Sequence, residues 1–276
     1  MLAVLLALGA SATWGLADFF GPLKGRQLGA LRALVYVQVA GLAAIALIVA
    51  VRARGPAHPA AFFAVPAAIS GTLGLYSYYR GMAVGAMSVV APIAGASAAV
   101  PVVFGVATGD RPSVVTGIGI VAALIGVVLA SRERRAGGSR VAAGVGLALL
   151  AAIGFGCYFP PMHAAGDADF WWAALLFRIT STSVILTAAL IRRPPLRMGG
   201  TDLFVVVLVG IGDLAGNVLF AAASAQGLVS IVSVLASLYP IVAVLLAHTV
   251  VGERIARPQQ AGVVLTLAGV ALISVG

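Results

Sequence analysis

The sequence predicts an all-α membrane protein whose ten transmembrane helices form two inverted five-helix repeats. Of its 276 residues, 62% are hydrophobic and only 9% are charged, whereas soluble domains carry about 25% charged residues. The few charges divide the chain into apolar stretches, and the second half of the chain repeats the first. The apolar composition excludes a water-soluble fold.

Charged residues and turn clusters mark the limits of the spans, because a helix needs about 20 apolar residues to cross a hydrocarbon core. Runs such as Val114 to Ala130 are apolar on every face, so they predict helices rather than alternating barrel strands. The uncharged stretch after Asp213 is long enough for two spans and is divided at Gln226-Gly227. The predicted spans are Leu2 to Pro22, Leu28 to Val51, Ala60 to Tyr79, Gly81 to Thr108, Pro112 to Ser131, Val141 to His163, Phe170 to Ile191, Leu203 to Ala223, Gly227 to Val251 and Pro258 to Gly276.

An internal repeat divides the chain at residue 135. Gly109 to Ser131 aligns without gaps with Gly252 to Ser274, and nine of the 23 positions are identical. Other matches are Trp14-Gly15 with Phe155-Gly156, Arg32 with Arg178, and Ser88 to Pro101 with Ser230 to Pro240. The predicted repeats are residues 1–135 and 136–276. Because five is an odd number, the second repeat enters the membrane from the opposite side, as in transporters with a binding site near the midplane.

Composition and motifs argue against several other classes of protein. The net charge of +9 lies in short loops without interleaved aromatic residues, so it predicts membrane orientation rather than nucleic-acid binding. The lone Cys157 is interpreted as a packing residue, with no disulfide or metal site. No nucleotide-binding loop, nucleophile elbow or metal-ligand cluster is present in the sequence, and we expect neither enzymatic activity nor a cofactor. The first apolar run is interpreted as a retained helix rather than a cleaved signal.

Several motifs resemble the EamA family of the drug/metabolite transporter superfamily over nearly the whole chain. The matching residues are Trp14-Gly15 with Asp18, Ser88 to Pro92, Ser237 to Pro240, and the turns Gly109-Asp110-Arg111 and Gly252-Glu253-Arg254. The resemblance implies ten helices in two repeats and the export or exchange of small metabolites. It also implies a central cavity lined largely by helices one, three, four, six, eight and nine.

Loop charge and family resemblance predict opposite orientations. With both termini on one side, 12 basic residues lie in the loops at the opposite end and three lie at the end of the termini. The positive-inside rule therefore predicts termini outside the cell. The resemblance implies cytoplasmic termini, so the orientation stays open at this stage.

Polar residues within the spans are the candidates for a site, since a charge at the bilayer centre costs about 2.5 to 3.5 kcal/mol on insertion scales. Asp213 lies deepest, and Asn217 follows it one helical turn later on the same side. These two residues predict a substrate or proton site, or an interhelical hydrogen bond that only holds the bundle together. Arg178 either attracts an anionic substrate group or neutralises Asp213 as a structural ion pair.

Asp18 is the second candidate acid, with Trp14 one turn away on the same face. It predicts a substrate or proton site, and the alternative is a local pair with Arg32 that shapes the first turn. Tyr76 and Tyr239 are expected to line the cavity. Tyr158 shares that expectation, whereas Tyr79 is interpreted as an interface anchor, and Pro240 is expected to free a carbonyl or kink the ninth helix.

The sequence thus favours a secondary transporter in the plasma or bacterial inner membrane that moves a small metabolite by alternating access. Two acids and two arginines within the spans sum to zero charge, which favours an amino acid or similar zwitterion, exported and coupled to protons through Asp213 and Asp18. The expected partners are the substrate, the lipid bilayer and protons. The alternative is a membrane-embedded enzyme or a lipid-handling protein without transport activity.

Overall fold

A computed structural model describes residues 1–84, 90, 94–130, 140–250 and 257–275. Within these residues all regular structure is helical. Two short 3-10 turns, Pro59–Phe63 and Ala96–Ala98, precede the third and fourth helices. The helices are α1 (Leu2–Leu28), α2 (Ala30–Arg52), α3 (Ala64–Val84), α4 (Ala99–Thr108), α5 (Val114–Ala130), a long bent helix (Arg140–Arg192), α8 (Gly200–Ser224), α9 (Val229–Ala236), α10 (Tyr239–Val250) and α11 (Arg257–Val275).

The long bent helix consists of two helices that meet at Asp169, which has an extended backbone (φ −165°, ψ 98°). We call residues 140–168 α6 and residues 170–192 α7. The Asp169 carboxylate accepts hydrogen bonds from the backbone N–H groups of Trp171 at 3.1 Å and Trp172 at 3.2 Å. These bonds satisfy donors that a helix start leaves free, so Asp169 caps α7. The sequence predicted this break between His163 and Phe170, although α6 continues five residues further.

Five helical stretches are long and apolar enough to cross a membrane: Leu2–Leu28, Ala30–Arg52, Pro59–Val84, Gly146–Arg192 and Gly200–Ser224. The fourth of these contains the bend at Asp169. Three shorter apolar helices accompany them within the described residues. The chain is therefore an integral multi-pass membrane protein.

Some predicted boundaries are wrong, and proline explains two of them. α1 runs through Pro22 to Leu28 instead of ending at Pro22, because one missing N–H removes a single bond from a helix that packing supports. The predicted ninth span is two helices, since the chain turns at Ser237 and Leu238. Pro240 lies in the first turn of α10, where its missing N–H has no intrahelical partner to lose.

Close helix pairs build the bundle. α3 packs along α6, α1 along α8, α5 along α11, and α2 along the bent helix. At the contact of α3 and α6, a Cβ added to Gly154 would lie 2.6 Å from the Cα of Gly74. Small residues let membrane helices approach this closely, so the glycine pair sets the distance between these two helices.

Polar contacts join the ends of neighbouring helices at both ends of the bundle. At one end, Lys24 and Asp202 form an ion pair at 2.7 Å, and Arg26 donates to the carbonyl of Met82 at 2.8 Å. At the other end, Asp110, in the turn after α4, accepts from the N–H of Ser230 at 2.9 Å. The repeat-matched turn Gly252-Glu253-Arg254 and the Ser88 to Pro92 motif lie outside the described residues, apart from Val90.

Candidate functional site

A cavity lies in the middle of the bundle, between α1, α2, α3, α6, α7, α8 and α10. The cavity has a volume of about 60 Å³. Because one water needs about 10 to 15 Å³, the cavity has room for a few waters. Its lining residues are Trp14, Asp18, Gln38, Gly71, Thr72, Leu75, Phe155, Tyr158, Phe159, Phe177, Asp213, Asn217 and Tyr239.

The lining helices differ partly from those that the family resemblance implied. Helices one, three, six, eight and nine contribute as expected, the ninth through Tyr239 of α10. Among the described residues, the fourth helix contributes none, whereas α2 and α7 contribute Gln38 and Phe177. The lining therefore includes the two helices that carry the Arg178 network.

Arg178 is the centre of a buried polar network on one wall of this cavity. Its guanidinium donates to the Asp213 carboxylate at 2.5 Å and to the Gln38 side-chain oxygen at 2.7 Å. The Arg178 side chain is fully buried, and the Asp213 side chain is 14% exposed. Of the two interpretations open for Arg178, the structure shows neutralisation of Asp213. Pairing offsets part of the cost of burying the two charges.

Gln38 holds the network on the side of α2. Its side-chain oxygen also accepts from the Ser181 hydroxyl at 3.0 Å, and its backbone carbonyl accepts from Thr182 at 3.3 Å. A Cβ on Gly41 would lie 3.0 Å from the Arg178 guanidinium carbon, so the absence of a side chain there makes room for the arginine. The network thus fixes α7 against both α2 and α8.

Asn217 extends this wall along α8. Its amide N–H donates to the Asp213 backbone carbonyl at 2.7 Å, and its side-chain oxygen accepts from the Tyr158 hydroxyl at 2.9 Å. The predicted common side of Asp213 and Asn217 is confirmed, since both line the cavity. Tyr158 also lines it, as expected.

Asp18 differs from Asp213 both in its position and in its lack of a charged partner in the described part of the chain. Because α1 extends to Leu28, Asp18 is ten residues, or about 15 Å, from the end of its helix, and not near it as predicted. Among the described residues it forms no ion pair and accepts no hydrogen bond, and the proposed pair with Arg32 is absent. The Nε atom of Arg32 is buried without a hydrogen-bond partner in the described part of the chain.

Aromatic rings form much of the remaining lining. Trp14 contacts Tyr158 edge-on, with ring centroids 5.9 Å apart, and Tyr158 contacts Phe177 edge-on at 5.4 Å. Phe155 and Tyr239 meet in the same manner at 6.3 Å. Such edge-to-face contacts are a favourable arrangement of ring quadrupoles, so these five rings stabilise one another. We call them the aromatic wall of the cavity.

The tyrosine predictions have different outcomes. Tyr239 lines the cavity, whereas Tyr76 is half-buried outside the lining, so its role stays a prediction. Tyr79 is not exposed at an interface but 2% exposed, and its ring packs where Gly21 and Gly25 leave space on α1. The tyrosine at position 79 therefore joins α3 to α1 within the bundle.

Several lining residues were missed from the sequence. Gln38 gave a usable signal, because it is the only side-chain amide in α2. Phe155 gave another, because it matches Trp14 in the internal repeat. Thr72, Phe159 and Phe177 gave none, since an aromatic or hydroxyl residue in an apolar span fits a packing role equally well.

The comparisons with known proteins agree with this architecture. No curated protein matches the chain. One solved crystal structure is similar with a TM-score of 0.78 at 17% identity, over 99% of this chain and 96% of that one, which shows a shared fold. The model of the EamA-like transporter family matches residues 1–132 and again residues 142–275, and its members are transporters rather than enzymes. The chain therefore belongs to the EamA-like transporter family and is a membrane transporter of the drug/metabolite transporter type.

Proposed function

We propose that this protein is a secondary transporter that exports a small polar metabolite across the cell membrane by alternating access through the central cavity. The observation that carries the proposal is a charged network beside a cavity in the middle of an apolar helical bundle. Polar groups at such depth are costly and mark substrate or ion pathways in membrane proteins. Amino acids and similar compounds are the substrate class expected from the sequence.

Helix pairing supports two inverted halves with ten spans. In the two repeats, α1 corresponds to α6, α3 to α8 and α5 to α11. The contact of α1 with α8 is then the counterpart of the contact of α6 with α3, and α5 contacts its own counterpart α11. A twofold axis within the membrane would produce this pattern, and rocking of the halves about it would open the cavity to alternate sides.

We further propose that the basic end of the bundle faces the cytoplasm. Lys24 and Arg26 lie in the last turns of α1, and Arg197 lies in the loop after α7. These segments meet at one end of the bundle through the ion pair of Lys24 with Asp202 and the bond from Tyr36 to the Leu196 carbonyl at 2.6 Å. Positive loops remain cytoplasmic during membrane insertion. Both termini then lie outside the cell, against the orientation that the family resemblance implied.

Proton coupling through Asp18 and Asp213 is part of the proposal. Asp213 already has Arg178 as its counter-ion, so a change in its charge would disturb the network between α2, α7 and α8. Asp18 has no cation partner among the described residues, so a proton or a substrate cation would be its counter-ion. We assign Asp18 the direct role and Asp213 the role of transmitting the change to the helices.

Flux into proteoliposomes tests the proposal. A panel of radiolabelled metabolites is offered with and without a pH gradient, and we expect saturable uptake of at least one compound that the gradient accelerates. Asp18→Asn is expected to abolish the acceleration, whereas Asp167→Asn, an exposed aspartate in α6, is expected to keep it. Lipid translocation or hydrolysis without uptake of any metabolite would favour the alternative of a lipid-handling protein or enzyme.

A further inference from the structure

We propose that the cavity selects organic cations, with an amine or quaternary ammonium group held between Asp18 and the aromatic wall, over zwitterions and anions. The inference rests on the proposed transport function and narrows its substrate class. It differs from the zwitterion expected from the sequence, because the two acids and two arginines of the spans are not distributed as two pairs around the cavity.

The charge of the lining is the first argument. The charged residues among the described lining are Asp18 and Asp213, and that lining includes no arginine, lysine or histidine. Arg178, which is not a lining residue, neutralises Asp213 by forming an ion pair with it. Asp18 is therefore the carboxyl of the described lining that has no cation partner, and a monovalent cation bound beside it would stabilise its ionised form.

The position of Arg178 argues against a substrate carboxylate. Its two terminal nitrogens donate to Asp213 and Gln38. Its Nε atom lies 3.1 Å from the place of a Cβ on Gly41, on the side of α2, and is buried without a hydrogen-bond partner in the described part of the chain. The Arg178 side chain is fully buried and is not among the lining residues, so a substrate carboxylate in this cavity would not contact the guanidinium.

The aromatic wall provides the second half of a cation site. Six of the 13 lining residues are aromatic, and ring faces attract ammonium groups most strongly where water is excluded. Trp14, whose indole has the strongest such attraction, lies one helical turn from Asp18 on α1. A cation bound to the carboxylate would therefore lie beside the indole.

Thr72 adds a polar atom that nothing else uses. Its side-chain oxygen is buried and has no hydrogen-bond partner in the described part of the chain, and the residue is 2% exposed. A buried hydroxyl without a partner is costly, and Thr72 lines the cavity. The N–H of a primary ammonium group would satisfy its oxygen, which a quaternary ammonium group has no hydrogen to do.

A set of small ligands that share the four carbons of an isobutyl group tests the proposal. Isobutylamine is a cation, valine adds a carboxylate to it, isovalerate is an anion and isobutanol is neutral. Binding to the full chain in nanodiscs is followed through Trp14 emission after Trp171→Phe and Trp172→Phe, which leave one tryptophan. We expect isobutylamine to bind at least about tenfold more tightly than the other three, as one charge-assisted hydrogen bond provides.

Two variants test which side chains produce the preference for isobutylamine. Asp18→Asn is expected to bring isobutylamine to within about threefold of isobutanol, whereas the exposed control Asp167→Asn keeps the preference. Thr72→Val is expected to weaken isobutylamine but not tetramethylammonium, and it tests the site independently should Asp18→Asn fail to fold.

The cation assignment is overturned if valine binds as tightly as isobutylamine, if no ligand changes the Trp14 emission, or if folded Asp18→Asn keeps the preference. The transport proposal fails separately, when proteoliposomes take up neither tetramethylammonium nor any compound of the metabolite panel. Uptake of valine with exclusion of tetramethylammonium would thus contradict the cation assignment and leave the transporter intact.

Discussion

The two walls of the cavity carry the same side chain in different surroundings. On the wall of α7 and α8, Asp213 is paired with Arg178, and Gln38 accepts a further guanidinium bond. On the wall of α1, Asp18 has no cation partner among the described residues, although Trp14 lies beside it. A charge paired with its counter-ion holds helices together, whereas an acid without a cation partner is free to bind a ligand. We therefore assign a structural role to the wall of α7 and α8 and ligand recognition to the wall of α1.

Loss of Arg178 is expected to have the largest effect on this contrast. Arg178→Ala leaves the Asp213 carboxylate and the Gln38 oxygen without their donor, and breaking a buried pair on one side costs about 3 to 5 kcal/mol. Denaturant titration in mixed micelles measures the free energy of unfolding. Arg197→Ala in the exposed loop after α7 is the control and should change it by less than about 0.5 kcal/mol. Equal stability of the two variants would remove the structural role from the network.

The matched substitutions Asp213→Asn and Asp18→Asn compare the walls directly. Asp213→Asn removes the counter-ion of a fully buried guanidinium, and we expect a loss of about 1 to 3 kcal/mol. Asp18→Asn removes a carboxylate without a cation partner among the described residues, so stability should stay the same or rise. The same titration measures both. The contrast is wrong if Asp18→Asn destabilises the protein as much as Asp213→Asn does.

The hydroxyl of Tyr158 is expected to have the smallest effect. Tyr158→Phe removes its bond to Asn217, and one such bond contributes about 1 kcal/mol. Tyr76→Phe removes a hydroxyl with no hydrogen bond in the described residues and should be close to neutral. The unfolding temperatures of both variants in one detergent measure the two effects. A larger loss of stability from Tyr76→Phe than from Tyr158→Phe would contradict this expectation.

The class of fold was predictable because it depends on composition and length. A bilayer requires long apolar helices, and the repeat was visible in the matched turns. The break at Asp169 was predicted within a few residues, since Asp167 and Asp169 interrupt the apolar run. The end of α1 was not, because Pro22 reads as a terminator in sequence while the bundle supports the helix past it.

The cavity lining was predictable in part, through its acids, Asn217, the motif residue Trp14 and two tyrosines, Tyr158 and Tyr239. Asp213, Asn217, Asp18 and Trp14 all line the cavity, since polar groups and motif residues stand out against an apolar background. The pairing was not predictable, because two acids and two arginines allow several arrangements and helix packing chooses among them. Arg32 and Arg178 match in the repeat alignment, yet only Arg178 has an acidic partner in the described structure.

Access to Thr72 from both sides of the membrane tests the central claim most directly. After Cys157→Ala, which removes the only cysteine, Thr72→Cys places a single thiol in the cavity lining. A membrane-impermeant thiol reagent is applied to either face of oriented vesicles. The account predicts labelling from each face and protection by a transported compound, because the cavity opens alternately to both sides. Labelling from one face only, under every gradient and ligand tested, would contradict alternating access.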